Sequence, residues 1–172
     1  EYFLFLADKK FFTITATMRN ALGKIAEEFS ENDAKEIKAT ESITNHDVKA
    51  VEYFVKKKLE KLKGAHLKEW VHFGLTSQDI NNTSIPLSWK HAIEFEYLPS
   101  LLNLNRQLEL LATDWKEIPM LARTHGQPAS PTILGKEMMV FIERIEDQVE
   151  LFIQIPFGAK FGGATGNFNA HA

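Results

Sequence analysis

There is no cysteine in the 172 residues, so neither disulfide stapling nor thiolate chemistry is open to this chain, and a reducing compartment is expected. No apolar run approaches the roughly 20 residues that span a bilayer. The apolar stretch 2–7 is short and follows the acidic Glu1, without the basic lead-in of a signal peptide. A cytoplasmic location and no membrane partner are therefore expected. Basic residues are not in excess. The formal net charge is −3, which gives no electrostatic footprint for nucleic acid. Any anionic ligand would have to be met by local donors. Metal-binding patterns are also missing: HExxH, paired CxxC and EF-hand spacing are all absent, so no metal site is expected. GAKFGG and GGATGN fit neither the dinucleotide fingerprint nor the P-loop. Ser77 lacks the context of a nucleophile elbow.

What is present reads as a folded helical protein. Hydrophobic residues make up 44% and charged residues 25%, which argues against disorder. Thirteen Phe and three Trp supply large apolar surface for a core. No alternating pattern runs longer than a few residues, so an all-α architecture is expected. Leu22, Ile25, Ala26 and Phe29 recur at helical spacing over 19–29, and a short helix over 33–40 has Ser30 or Asn32 as candidate cap. Val48, Val51, Val55, Leu59 and Leu62 share one face of a strong helix, with Asn45 as the expected N-cap and Gly64 as its stop. The lysines at 56, 57, 58, 61 and 63 read as its solvated face.

Thr76, followed three residues later by Asp79, opens another helix in the manner of a capping box. Pro86 falls inside that helix and is expected to kink or restart it. Residues 98–115 carry a stripe of Leu101, Leu104, Leu108, Leu111 and Trp115. Residues 118–131 read as a polar, proline-punctuated loop. Residues 133–153 form a long helix whose stripe is Leu134, Met138, Phe141, Ile145, Val149 and Phe152, close to a bundle seam. Its Met and Phe residues are read as core rather than as cofactor contacts. The segment 158–172 is rich in Gly, Asn and Ala and has little to bury.

Three polar clusters stand at helix starts or in a loop, where free backbone N–H groups favour anions. Asn45-His46-Asp47 is the first, and His72-Phe73-Gly74-Leu75-Thr76-Ser77-Gln78-Asp79 is the second. By composition alone both are more simply explained as helix caps. The third, Arg123-Thr124-His125-Gly126-Gln127-Pro128, is harder to reduce to structure. It sets a histidine, the side chain best suited to proton transfer near neutral pH, among donors and acceptors.

The clusters are more specific together than apart. TNHDVKAVEYF (44–54), HFGLTSQDINNTS (72–84), RTHGQPASPTILGKEM (123–138) and GGATGNFNAH (162–171) occur in this order. From about Asp33 onward the chain closely resembles the adenylosuccinate lyase family of the fumarase/aspartase superfamily. That resemblance implies release of fumarate from adenylosuccinate, giving AMP, and from the related succinyl-carboxamide ribotide (SAICAR, giving AICAR). It implies a succinyl-purine nucleotide as substrate, no cofactor and no metal. It also implies a homotetramer around a central helical bundle, with each active site shared by several subunits. On the matching positions, Asn45, His46 and Asp47 bind substrate, with His46 toward the phosphate end. Thr76 and Ser77 bind the succinyl carboxylate. His125 is the general acid on the leaving nitrogen. His72, Thr124 and Gln127 orient substrate.

The same resemblance divides the chain into a helical N-terminal domain, 1–97, and the start of the central long-helix bundle, 98–172. The family's serine base lies in a Ser-Ser-x-Met-Pro-x-Lys-x-Asn stretch that does not occur here, and an early Arg-Tyr pair is also absent. The chain is therefore read as a fragment lacking both ends, inactive by itself and prone to self-association through an exposed apolar stripe. Two rivals remain open. One is a sister lyase such as argininosuccinate lyase or fumarase. The other is a non-catalytic helical assembly module.

Overall fold

The computed structural model describes residues 1–171. Contacts group the chain into two compact units: Glu1–Thr83 with Lys160–Ala172, and Ser84–Ala159. Among the described residues the architecture is helical apart from one small hairpin.

The first unit holds α1 (Tyr2–Asp8), α2 (Ala16–Gly23), α3 (Glu31–Thr44), α4 (Asp47–Lys61), a 3-10 turn (Ala65–Val71) and the start of α5 (Ser77–Ala92). Ser30 caps α3 in a reciprocal box with Asp33, so this helix is longer at both ends than the 33–40 expected. The 19–29 pattern yields only the short α2, capped by Thr15, followed by turns. Asp33 at the start of α3 meets Lys58 near the end of α4 at 2.8 Å, and Glu36 meets Lys57 at 2.6 Å. The two helices therefore run antiparallel. The lysine run is a solvated face only in part: Lys57, Lys61 and Lys63 are exposed, whereas Lys58 is half-buried against Asp33 and the Lys56 side chain, paired with Glu52, is 13% exposed. The core gathers Phe3, Met18, Leu59 and Leu67, with Phe12, Leu22 and Trp70 packed against it. Val51, expected on the buried face of α4, is exposed, and Ala50 and Phe54 are buried instead.

The second unit contains the rest of α5, a π-helical stretch (Ile93–Tyr97), α6 (Leu98–Asp114), a hairpin of β1 (Pro119–Thr124) and β2 (Gln127–Ile133), and α7 (Leu134–Ile153). Pro86 lies inside α5 without ending it. The hairpin corrects the expectation of an irregular loop over 118–131. Its pairing is antiparallel, Pro119 with Ile133 through Thr124 with Gln127, with a register shift between Leu121 and Arg123. The two residues left to turn the chain are His125 (φ 50°) and Gly126 (φ 78°). Positive φ at both central residues is the signature of the I′ turn that matches strand twist.

α6 and α7 form an antiparallel helical pair: Asn105 Nδ2 donates to Glu146 Oε1 at 3.2 Å, and Tyr97 meets Phe152 edge-on at 6.0 Å. Where the hairpin joins them, a Cβ on Gly135 would land on the carbonyl oxygen of Ala112 and lie 2.9 Å from the nitrogen of Lys116. Only glycine permits so close an approach there. The contact face of α6 is Leu101, Asn105, Leu108, Ala112 and Trp115, and that of α7 is Gly135, Met138, Ile142, Ile145, Val149 and Phe152. Both step by three and four. The expected stripes were thus rotated in part: Leu104 and Leu111 face out, and Phe141 is 53% exposed, as is Met139 to a similar degree.

Candidate active site

Asn45 and His46 are the entire connection between α3 and α4. Asn45 is in the left-handed region (φ 52°) and closes α3, its N–H donating to Glu41 O at 2.8 Å. The N-cap of α4 is therefore His46 rather than Asn45. Its Nδ1 accepts from the Lys49 N–H at 3.3 Å. Asp47, first residue of α4, accepts from the Val48 N–H at 2.7 Å and keeps its carboxylate 3.4 Å from His46 Nδ1. Negative charge there suits the positive helix start.

Because Nδ1 serves as an acceptor, a neutral His46 ring carries its proton on Nε2. That nitrogen lies 3.0 Å from Ser77 Oγ. Nε2–H then donates to Ser77, and the Ser77 hydroxyl proton is left to point elsewhere. Two motifs 31 residues apart are joined by this single bond.

Thr76 and Ser77 stand at the mouth of α5 but do different work. The Thr76 N–H and Oγ1–H both donate to Asp79 Oδ2, each at 2.9 Å. The other oxygen, Oδ1, accepts from the N–H groups of Gly162 at 2.8 Å and Gly163 at 3.0 Å. Asp79 is 2% exposed. Burial alone would raise its pKa, but the hydrogen bonds from Gly162, Thr76 and Gly163 outweigh burial and hold it at about 2. Among the described residues the N–H groups of Ser77 and Gln78 meet no acceptor. With the free Ser77 hydroxyl they form a donor set at a helix start, which suits a carboxylate or phosphate oxygen.

His72 ends the 3-10 turn and lies 3.6 Å from Glu52 through Nδ1. Glu52 is buried on α4, bonded to Lys49 at 2.8 Å and Lys56 at 2.9 Å. Burial pushes its carboxyl up, and the two lysines more than offset this, leaving its pKa below the ordinary value.

The remaining candidates belong to the second unit. His125 is the first residue of the hairpin turn, exposed, with Thr124 and Gln127 paired on either side of it. Arg123 Nη1 reaches Gly126 O at 3.5 Å. Sequence reasoning missed two buried acids. Asp79 was read only as a cap member and Glu52 not at all. The signal for Asp79 was its spacing from Thr76, and for Glu52 an acid on the apolar side of α4 between lysines at i−3 and i+4. Among the described residues no group of three His, Cys, Asp or Glu could hold a metal ion, and no helix is long and apolar enough to cross a membrane.

The sequence model of the family described as Lyase matches residues 6–172. The adenylosuccinate lyase of Dictyostelium discoideum is 55% identical over 148 residues, 84% of this chain and 32% of that protein. The adenylosuccinate lyase of Vibrio cholerae is 46% identical over 158 residues, 91% of this chain and 35% of that protein. This chain thus spans about a third of the length of these relatives. The crystal structure of a fumarate lyase from Mesorhizobium sp. BNC1 shares its fold, with a TM-score of 0.77 at 19% identity, covering 99% of this chain and 39% of that one.

Proposed function

With residues 6–172 matched, the chain belongs to the Lyase family, and from that premise we propose that the full-length protein it is part of acts as an adenylosuccinate lyase. The reaction is a β-elimination. The proton on the carbon beside a succinyl carboxylate passes to a base, which the family resemblance puts in the serine stretch that these 172 residues do not contain; the C–H electron pair forms the C=C bond of fumarate, the C–N bond breaks, and the electron pair of that bond goes to the nitrogen. Fumarate and a purine amine, AMP or AICAR, are the products. The 55% identity to the Dictyostelium enzyme carries the assignment to this substrate class rather than to a sister lyase.

The chemistry fits the residue types. Removing the carbon proton loads negative charge onto the neighbouring carboxylate, which the Ser77 hydroxyl and the N–H groups of Ser77 and Gln78 would stabilise. The amine leaves poorly unless protonated, so a proton donor is required, and His125 takes that role. Asn45, His46 and Asp47 hold the nucleotide end, and His72, Thr124 and Gln127 orient it. The substrate is bound without metal or cofactor.

Homotetramer formation, with sites completed by neighbouring copies, belongs to the same proposal. Leu102, Leu110, Phe141, Leu151 and Ile153 of α6 and α7 are all exposed in the single chain, which is the pattern of faces that neighbouring helices cover. A cytoplasmic setting and the division at 97/98 into N-terminal and bundle domains are proposed on the same footing. The test is fumarate release by the full-length protein from adenylosuccinate, with argininosuccinate and malate as rival substrates. His125→Asn is the decisive variant. Asn adopts positive φ readily, so the turn is kept while the proton donor is lost. A drop of about 100-fold or more in kcat is expected. Undiminished turnover would end the assignment of His125, and turnover of argininosuccinate instead would end the assignment of substrate.

A further inference from the structure

The glycine-rich segment after Lys160 has no part in the proposed reaction, yet it is tied to the start of α5. Asp79 makes the tie. A capping acid normally accepts from the backbone of its own helix start. Here one oxygen does so, while the other accepts from Gly162 and Gly163, 83 and 84 residues away. Those two consecutive N–H groups form a small anion cradle, with Gly163 at φ 79°. Lys160 closes it from the side: its ammonium lies 3.9 Å from Asp79 Oδ1 and donates to Gly163 O. A buried charge with four donors and one cation is fully compensated, so removing the segment would strand it.

We infer that Asp79 is a positioning residue for the proposed elimination: it latches the Gly162–Gly163 turn onto the mouth of α5 and accepts the hydrogen bond of the Thr76 hydroxyl, leaving Ser77 as the side chain that donates to the substrate carboxylate. The second half follows from counting protons. Thr76 has one hydroxyl proton, and Asp79 Oδ2 holds it at 2.9 Å. Ser77 has its oxygen, not its proton, engaged by His46. Two adjacent hydroxyls that look equivalent in sequence are thereby assigned unequal roles. This rests on the lyase reading above.

The experiment uses the full-length protein with Asp79→Asn, Thr76→Val and the double variant, reading kcat and KM for adenylosuccinate beside amide exchange at Gly162 and Gly163. In Asp79→Asn the amide Oδ1 still accepts from the glycines, but its Nδ2 faces the Thr76 N–H, donor against donor. Expected are a fall of about tenfold or more in kcat, faster exchange at both glycines, and little further loss when Thr76→Val is added. Unchanged kcat, KM and exchange in a folded Asp79→Asn protein would overturn the inference. So would Thr76→Val and Asp79→Asn losses that simply multiply, since Thr76 would then act on substrate independently. Should Asp79→Asn fail to fold, Gly163→Ala attacks the latch from the other side, through the strain of a Cβ at positive φ. It should reproduce the kcat loss, and normal kcat there would refute the proposal. If the wild-type protein does not turn over adenylosuccinate, the lyase reading fails, and the exchange measurement still decides whether the latch exists.

Discussion

Gly135→Ala should destabilise the protein, although alanine is the better helix former. Gly135 is the second residue of α7, and in an open helix the exchange gains up to about 1 kcal/mol. Here the new methyl would overlap the carbonyl oxygen of Ala112 and lie 2.9 Å from Lys116 N and 3.0 Å from Lys116 Cα. Carbon needs about 3.5 Å or more from its neighbours. All three of these neighbours are backbone atoms, so no side chain can swing away, and the start of α7 must back off the end of α6. Two hydrogen bonds resist that movement: Gly135 N–H to Trp115 O at 3.1 Å and Leu134 N–H to Ile118 O at 2.9 Å. Overpacking costs about 1–3 kcal/mol, and a weakened backbone hydrogen bond about 1 kcal/mol more. Set against the helix gain, the net is a loss of about 2 kcal/mol. The assay is the urea midpoint followed by circular dichroism, with Gly23→Ala as control. A Cβ at Gly23 meets nothing within 4 Å, so that variant should be neutral or mildly stabilising. If both variants raise the midpoint alike, the close contact of α6 with α7 is wrong.

Ile142, 2% exposed on the seam of α7, should cost about 3 kcal/mol when cut to alanine, read from the same urea midpoint. Asp79 gives a pH dependence with a definite sign. Its pKa is held at about 2 in the folded chain against an ordinary 3.8, so the folded state favours the charged form. The stabilisation, about 2 kcal/mol, is present in full above pH 4 and is lost as the pH falls through 2. Asp79→Asn should flatten that limb of the stability curve, measured by thermal melting between pH 5 and 2. Asn45→Ala should cost about 1 kcal/mol, because alanine resists the left-handed backbone that ends α3, while Asn45→Gly should be tolerated. Thermal unfolding of the two variants side by side checks this.

The helices were legible because their signals are local. Ser30 three residues before Asp33, the three-and-four recurrence through α4, and the long apolar repeat of α7 each lie within one element. What was misread depended on partners elsewhere in the chain. Phe141 fits the seam by spacing alone, but Ile142 is the residue buried there, while Met138, Ile145, Val149 and Phe152 hold the positions expected of them, a local choice that periodicity cannot fix. The hairpin was hidden because prolines at 119, 128 and 131 interrupt both strands and neither face is buried, so no alternation develops. Its one usable mark was the His125-Gly126 pair, two residues able to adopt positive φ in succession.

That mark bears on how the site residues should be understood. Asn45, His125 and Gly163 lie in three different motifs, and all three have left-handed backbones, at φ 52°, 50° and 79°. Each ends or turns an element, which presents the neighbouring polar groups at an edge rather than along a face. Asn45 closes α3 so that His46 can cap α4 and reach Ser77. Gly163 turns the chain so that two amides meet Asp79. The sequence motifs therefore serve the backbone and the chemistry together, and an alanine scan would confuse the two. Replacing His125 by alanine would remove an imidazole and strain a hairpin turn at once, whereas asparagine removes only the first. A site built this way must be dissected with substitutions that keep the φ each position requires, since only then does a lost rate report on the side chain.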